Sequence, residues 1–523
     1  KNMRCLCSVL LILFSCFLSA ATVISGGNVS GVWSVAGSPY LINGNIIIPE
    51  GESLTLNPGV ELQFQGYYTL KIQGRLQAIG TFSDSIKFST ASNSQKWRGI
   101  LMQDIASSND STIFRYCSLS RGDARQDSQD KNGGIIRVLN SSRLLIENCC
   151  FSYATADSGG ALYAKNSSFK VKNCFFYNCS ATYDGGAIFT SLPDLNNQTS
   201  LYIEHCTFKS NSAGKMGGGI TLCGGSHYII CSKFSNNYAQ NGGGGIALKN
   251  NCHYLCLNNL IVNNGTSHQG GGIFASSYAS GNSIINNTIC NNSATINYPN
   301  GGPGGLYIRG YADCYNNIIW GNSSSQGQIG IRTDGPSQFF DYNDIENGLA
   351  AFNISWENEP WQDSQYGNHN ITGNPQFIQP TIDNSLNLDG LAADWRLHQN
   401  SPCRNSGNPS TDISLYLFDL AGNPRIMENY IDIGAYEYRN MSIPQVPQNV
   451  RIIKNSDLLY LSWDPVNQAL DGAPIYNISY NIYYSLNPSG IWEYLGSSDN
   501  PFFILDSENN SQAFFRVCAV ANP

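Results

Sequence analysis

The sequence predicts an all-β protein, a parallel β-helix solenoid followed by a small β-sandwich, and three observations predict it. Seven glycine pairs recur: Gly133–Gly134, Gly159–Gly160, Gly185–Gly186, Gly218–Gly219, Gly244–Gly245, Gly271–Gly272 and Gly304–Gly305. Their second glycines lie 26, 26, 33, 26, 27 and 33 residues apart. Units that short bury an apolar face only by stacking on their neighbours. The second observation is an apolar anchor followed three residues later by Asn or Cys: Phe176…Cys179, Phe208…Asn211, Phe234…Asn237, Ile261…Asn264, Ile289…Asn292 and Ile319…Asn322. The runs between are short, β-branched or aromatic, and end in Gly, Asn or Ser, as strands do. The third is a column two residues before the anchors, with Cys149 leading into Cys174, Cys206, Ser232, Asn259, Asn287 and Asn317. Equivalent residues of a β-helix stack about 4.8 Å apart, where buried amides bond along the axis.

In chain order, Met3 and Arg4 precede an apolar run from Leu6 to Leu18, and Ser19-Ala20-Ala21 offers a small-x-small cleavage site. Residues 1–21 therefore read as a secretory signal, too short for a membrane span. A lipoprotein reading at Leu13-Phe14-Ser15-Cys16 fits poorly because Phe14 is bulky. Residues 22–130 read as the first coils, with Ile46-Ile47-Ile48, Val60/Leu62/Phe64 and Gly99-Ile100-Leu101. Residues 131–325 are the glycine-pair repeats. Residues 326–440 lose the period and gain Trp, Pro and Asp, which suits the last coils and a terminal cap. About fourteen coils in all make a rod of roughly 65 Å. Residues 441–447, with Pro444 and Pro447, read as a linker, and 448–523 as a separate β unit with strands at Leu459/Leu461/Trp463 and Phe515/Val517/Ala519.

Composition narrows the function. Charged residues are 13% of the chain, the net charge is −8, and no basic run exists, which disfavours a nucleic-acid partner. No segment after the signal is apolar enough to span a bilayer. Fourteen cysteines follow the signal, and Cys149, Cys174 and Cys206 hold repeat-equivalent strand positions, as small buried thiols would. With no CxxC and scattered His, neither a zinc site nor a cofactor is expected.

The glycine-pair and Phe-x-x-Asn repeats of residues 131–325 resemble those of the chlamydial polymorphic outer membrane proteins and related bacterial right-handed β-helix proteins. Here Cys179 replaces one Asn, Ile replaces Phe in later repeats, and that family's membrane barrel is absent. The opening is similar to secreted bacterial β-helices at Leu54-x-Leu56-x-Pro58-Gly59-Val60 and Trp97-Arg98-Gly99-Ile100. Four segments resemble the choice-of-anchor Q end module: Asn374-Pro375-Gln376-Phe377, Ser401-Pro402-Cys403-Arg404-Asn405-x-Gly407, Asp419-x-x-Gly422-Asn423-Pro424-Arg425 and Asp432-Ile433-Gly434-Ala435-Tyr436-Glu437. The tail resembles a fibronectin type III domain at Leu461-Ser462-Trp463-x-Pro465 and Phe515-Arg516-Val517-x-Ala519-Val520. These resemblances imply a right-handed, pectin lyase-like solenoid, a type III sandwich, and an extracellular, surface-associated protein.

Pectin lyase-like folds also host polysaccharide lyases and hydrolases, which need carboxylates clustered on one face. Asp157 and Asp184 precede successive glycine pairs and read as turn residues. The run Asp341-Tyr342-Asn343-Asp344-Ile345-Glu346 is the densest carboxylate cluster of the coils and reads as an ordinary rung. The loop with Trp356, Glu357, Glu359, Trp361 and Asp363 is the best ligand-site candidate, since aromatic faces stack on sugars and carboxylates bind hydroxyls. Arg121-Gly122-Asp123 is a chance-level adhesion tripeptide. The expectation is a secreted or surface-displayed scaffold that contacts a polysaccharide, a cell-surface glycan or a cell-surface protein. The alternative is a lyase or glycoside hydrolase.

Overall fold

The computed structural model describes residues 21–105, 111–127, 130–192, 199–296, 302–332, 338–355, 365–427, 429–439, 445–455, 458–468, 478–485, 493–506 and 514–521. The chain divides into one unit ending at Tyr438 and a second beginning at Arg439.

The first unit is a parallel β-helix. Each coil feeds three long parallel sheets of 13, 13 and 12 strands, and six coils add a two-residue strand to a fourth. Face 1 includes Cys150–Ser152, Phe175–Tyr177 and Thr207–Lys209. Face 2 includes Leu162–Lys165, Ile188–Thr190 and Ile220–Cys223. Face 3 includes Leu144–Glu147, Ser168–Lys172 and Ser200–Glu204. Among the described residues thirteen strands stack along faces 1 and 2, and parallel bridges from Phe340 to Tyr366 and from Asp344 to Ile371 begin a further coil, so the rod is roughly 62 Å long at the usual strand spacing. Inside, Phe151, Phe176, Phe208 and Phe234 stack face to face at 4.8, 4.8 and 4.6 Å. Ile261, Ile289 and Ile319 continue that column in register.

The glycine corner uses its two residues differently. Gly159 has φ +62°, a region that costs other residues strain. Gly160 has no room for a Cβ, which would lie 2.1 Å from the Gly186 carbonyl of the next coil. The register also corrects the sequence alignment. In the longer glycine runs, Gly217–Gly219 and Gly242–Gly245, Gly218 and Gly244 take the place of Gly160 and Gly186, because Ile188 pairs with Ile220 and Ile220 with Ile246. The pairs at Gly218–Gly219 and onward thus slip by one residue against the first three.

Two buried ladders line the corners beside face 1. In the first, the backbone N–H of Ser232 donates to Asn259 Oδ1, and the Asn259 amide donates to Asn287, Asn287 to Asn317 and Asn317 to Asn343. Cys206, Cys174, Cys149 and Cys117 extend it the other way as buried free thiols. In the second, Asn211, Asn237, Asn264, Asn292 and Asn322 repeat the pattern at 2.9–3.0 Å. The residue before each ladder position sits in the left-handed region, as at Asn258, Asn263, Asn286 and Asn291. Doubled asparagines therefore divide the labour, the first turning the chain and the second bonding inside.

Cys150 and Cys518 are half-buried, and the other twelve described cysteines are buried. Burial pushes the Cys117 and Cys174 thiols up, which leaves them unreactive. Thiol titration of the native chain should label Cys150 and Cys518 ahead of the twelve buried thiols. Unfolding without reductant should release Cys149, Cys174 and Cys206 as free thiols, and finding them oxidised would rule out the column.

Residues 374–438 are not a cap over the end of the rod. They run back along face 1 as a strap. Trp395, Leu397, Tyr416, Leu420, Ile431 and Ile433 pack on Ile230, Leu257, Leu260, Val262, Cys290 and Ile318. The left-handed corner asparagines grip the strap's main chain. Asn236 donates to the Leu386 and Leu388 carbonyls, Asn263 to Asp383 and Ser385, Asn258 to Phe418, and Asn286 to Asp432 and Gly434. Leu260 and Val262 point outward from face 1, so covering them removes apolar surface that water would otherwise meet.

The second unit has two three-stranded antiparallel sheets. Arg451–Asn455, Leu458–Ser462 and Phe502–Asp506 form one; Glu493–Ser498, Ile478–Ser485 and Phe514–Ala521 form the other. Leu459, Leu461, Trp463, Tyr480, Ile482 and Val517 make its core.

Candidate functional site

Trp356, Glu357, Glu359, Trp361 and Asp363 lie outside the described residues. The carboxylates of the 341–346 run do not converge on one site. Asp344 is fully buried under the strap, where the Cys403 thiol donates to its Oδ2 at 3.0 Å. Glu346 ends the second ladder, accepting from Gln328 Nε2 at 2.6 Å and the Gly321 N–H at 2.9 Å. Asp341 pairs with His369 Nδ1 at 3.0 Å and accepts the Tyr342 and His369 backbone N–H groups. Asp184 Oδ1 accepts the Met216 N–H of the next coil at 3.1 Å, so its carboxylate ties two coils together rather than closing a local turn. The Arg121-Gly122-Asp123 tripeptide is not presented, because Asp123 is 3% exposed and its carboxylate is forked to Arg125.

The described surface does bring aromatic and polar groups together on face 3. Strand alternation sends Leu201 and Ile203 inward and Tyr202 outward, and one rung on Tyr228 is 39% exposed. Register places Lys170, Tyr202, Tyr228, Leu255 and Ser283 in one outward row. The Tyr202 and Tyr228 rings lie 5.7 Å apart. Lys170 Nζ stands 5.2 Å from the Tyr202 ring centroid, a cation–π distance. A groove of about 480 Å³ continues along the row, lined by Ser226, Tyr228, His253, Leu255, Gly281 and Ser283.

Beside that row runs a charged ladder. Arg115 pairs with Glu147 at 2.7 Å and Lys172 with Glu204 at 2.5 Å. The Glu204 hydrogen bond raises the Lys172 pKa, so the ammonium stays charged at neutral pH. His227 lies beneath the groove at 1% exposure, between the Leu201 N–H and the Gly224 carbonyl. Burial lowers its pKa to about 4, so it stays neutral and works as a corner fixture. Sequence reasoning did not single out Tyr202 and Tyr228. Their 26-residue separation, one repeat, was the signal that they share a row. Among the described residues no three His, Cys, Asp or Glu side chains converge as metal ligands do.

A family model described as "Right handed beta helix region" matches residues 79–289, which fixes the hand of that stretch as expected. Among curated proteins, the chain is 34% identical over 88 residues to "Protein bark beetle" of Drosophila melanogaster. That match covers 16% of this chain and 3% of the relative, so the chain spans a small fraction of the relative's length. Among solved structures, "Crystal structure of pectate lyase Pel9A" is similar with a TM-score of 0.40 and 15% identity, covering 75% of this chain and 89% of that one. At that level the likeness says nothing of activity or ligand.

Proposed function

We propose that this chain is an extracellular, surface-associated β-helix scaffold that contacts carbohydrate through the outward row of face 3. The observation that carries the reading is the Tyr202–Tyr228 pair, two partly exposed rings one rung apart on a rigid ladder with a lysine at one end. Aromatic faces take the apolar side of a pyranose, while ammonium and hydroxyl groups meet its oxygens. The regular row suits a linear chain of sugars. The carboxylate closest to the rings, Glu204, is held by Lys172, an arrangement for fixing shape and charge. The signal-like start, the anchor-like strap and the type III-like second unit support an extracellular setting and a role in adhesion. Partners of this kind are polysaccharides or cell-surface glycans and proteins.

A glycan array on the intact chain tests the reading. Replacing Tyr202 and Tyr228 together with Ala should weaken binding by about 1–3 kcal/mol, the value of one or two large side chains in contact. Stability should change little, because both rings project outward. Unchanged binding would remove face 3 from consideration. A second reading, a lyase or hydrolase, rests on the Asp341–His369 pair, whose imidazole is more than half exposed. Release of cleaved or unsaturated oligosaccharides that His369→Ala abolishes would favour it.

A further inference from the structure

The strap covers only part of face 1. Its end is marked by Asp389, which pairs with Lys209 at 2.6 Å, and by Gly390, packed near Ser235. On the preceding coils no described strap residue covers the same face. There a cleft of about 380 Å³ opens, floored by Cys150 and Phe175 and flanked by the corner residues Asn148 and Asn173, with the loop around Phe82 as its far wall. Phe82 is 93% exposed.

This cleft repeats the corner asparagines of a seat the strap occupies further along the rod, with Cys150 and Phe175 where that seat has Thr288 and Ile318. Strap residues 432–435 sit on Asn286, Thr288, Asn316 and Ile318. The Asn286 amide donates to the Asp432 and Gly434 carbonyls. The Gly434 N–H donates to the Asn316 carbonyl, and the Ala435 N–H to Thr288 Oγ1. Gly434, at φ +102°, lies so close to Ile318 that a Cβ would come within 2.6 Å of it. The strand register carries Asn286 and Thr288 back to Asn148 and Cys150, and Asn316 and Ile318 back to Asn173 and Phe175. Asn148 and Asn173 hold the same left-handed corner geometry as Asn286 and Asn316. Their side-chain amides have no partner among the described residues.

We propose that the Asn148–Asn173 cleft is a second seat of the same design, and that it takes an extended, glycine-containing segment of another polypeptide. The grip is on main-chain carbonyls and on the space above an outward apolar residue, so an extended backbone is what fits it. The surface is distinct from the face 3 row and from its carbohydrate reading.

The probe is a labelled synthetic peptide spanning residues 429–438, added to the intact chain and followed by fluorescence anisotropy. Saturable binding is expected, together with slowed alkylation of Cys150 by a maleimide. Asn148→Gly with Asn173→Gly keeps the left-handed corners and removes both amides, and should weaken binding at least tenfold without moving the thermal unfolding midpoint. A peptide with valine in place of Gly434 should not bind. Absence of saturable binding up to millimolar peptide would overturn the proposal. So would binding that ignores the Asn148/Asn173 pair, or binding lost instead in Asn286→Gly, which would mean that the peptide displaces the strap. Unprotected Cys150 would overturn it as well.

Discussion

Asn264→Ala should lower the unfolding free energy of the β-helix by about 3–5 kcal/mol, far more than the loss of one ordinary hydrogen bond. Asn264 is fully buried at the middle of the second ladder. Its Oδ1 accepts both the backbone and side-chain N–H groups of Asn237, at 3.0 and 2.9 Å. Its amide donates to the Phe234 carbonyl and to Asn292 Oδ1. Truncation removes the partners of four groups on the two flanking coils, and water cannot replace them. Each buried polar group left unmade costs about 1–3 kcal/mol, and chains of amides that polarise one another lose more than the sum of pairs. Asn178→Gly is the control, since Asn178 is an exposed left-handed corner outside the ladder. Urea unfolding that shows less than about 1 kcal/mol for Asn264→Ala would mean the ladder marks the repeat without stabilising it.

The ladders and the aromatic column were legible in the sequence for one reason. A solenoid converts spatial neighbours into residues one repeat apart, so Phe176, Phe208 and Phe234 announce their contact by their spacing. Where that conversion fails, so does the reading. The longer glycine runs offer more than one equally good pairing, and only strand register decides among them. The strap is the larger case. Asn258 and Phe418 are bonded across 160 residues, and nothing periodic in the strap's sequence points to its landing site. The motif residues of the anchor-like module were visible, but their work was not. Arg425 and Glu437 are buried together at 3.3 Å, Asp419 accepts the Asn423 and Glu437 N–H groups, and Asp432 accepts that of Asn405, so the module is a polar knot that folds the strap on itself. The face 3 row was missed because inward and outward residues alternate. Leu201-Tyr202-Ile203 looks uniformly apolar in one dimension, yet only Tyr202 reaches solvent. The 341–346 run was read as an ordinary rung, and alternation and the strap send its three acids to three different surroundings.

The strap's seat also predicts a pH dependence of stability, centred on Asp344. Burial raises its carboxyl pKa to about 7, with Glu346 pushing the same way and the Cys403 thiol, which donates to Oδ2, pulling against both. In the unfolded chain the same group ionises near pH 4, at about 3.9. The native state therefore holds a proton that the unfolded state has released between roughly pH 4 and 7. Stability is fully present below that window and falls as pH rises through it, by about 1.4 kcal/mol per unit and about 4 kcal/mol in all. Glu437 contributes with the same sign, because its pKa is pushed up to about 9 by burial and by Asp432 and Asp419, against the attraction of Arg425. Asp344→Asn removes the first contribution and leaves the second. At pH 4 the variant and the parent should unfold at nearly the same denaturant concentration, since both then carry a neutral group beneath Cys403. By pH 8 the variant should be more stable by up to about 4 kcal/mol, the full ionisation cost of one buried carboxyl. Curves that stay parallel from pH 4 to 8 would show that Asp344 is ionised in the folded chain. The strap would then rest on a buried charge, and Asp344→Asn should loosen the strap at every pH.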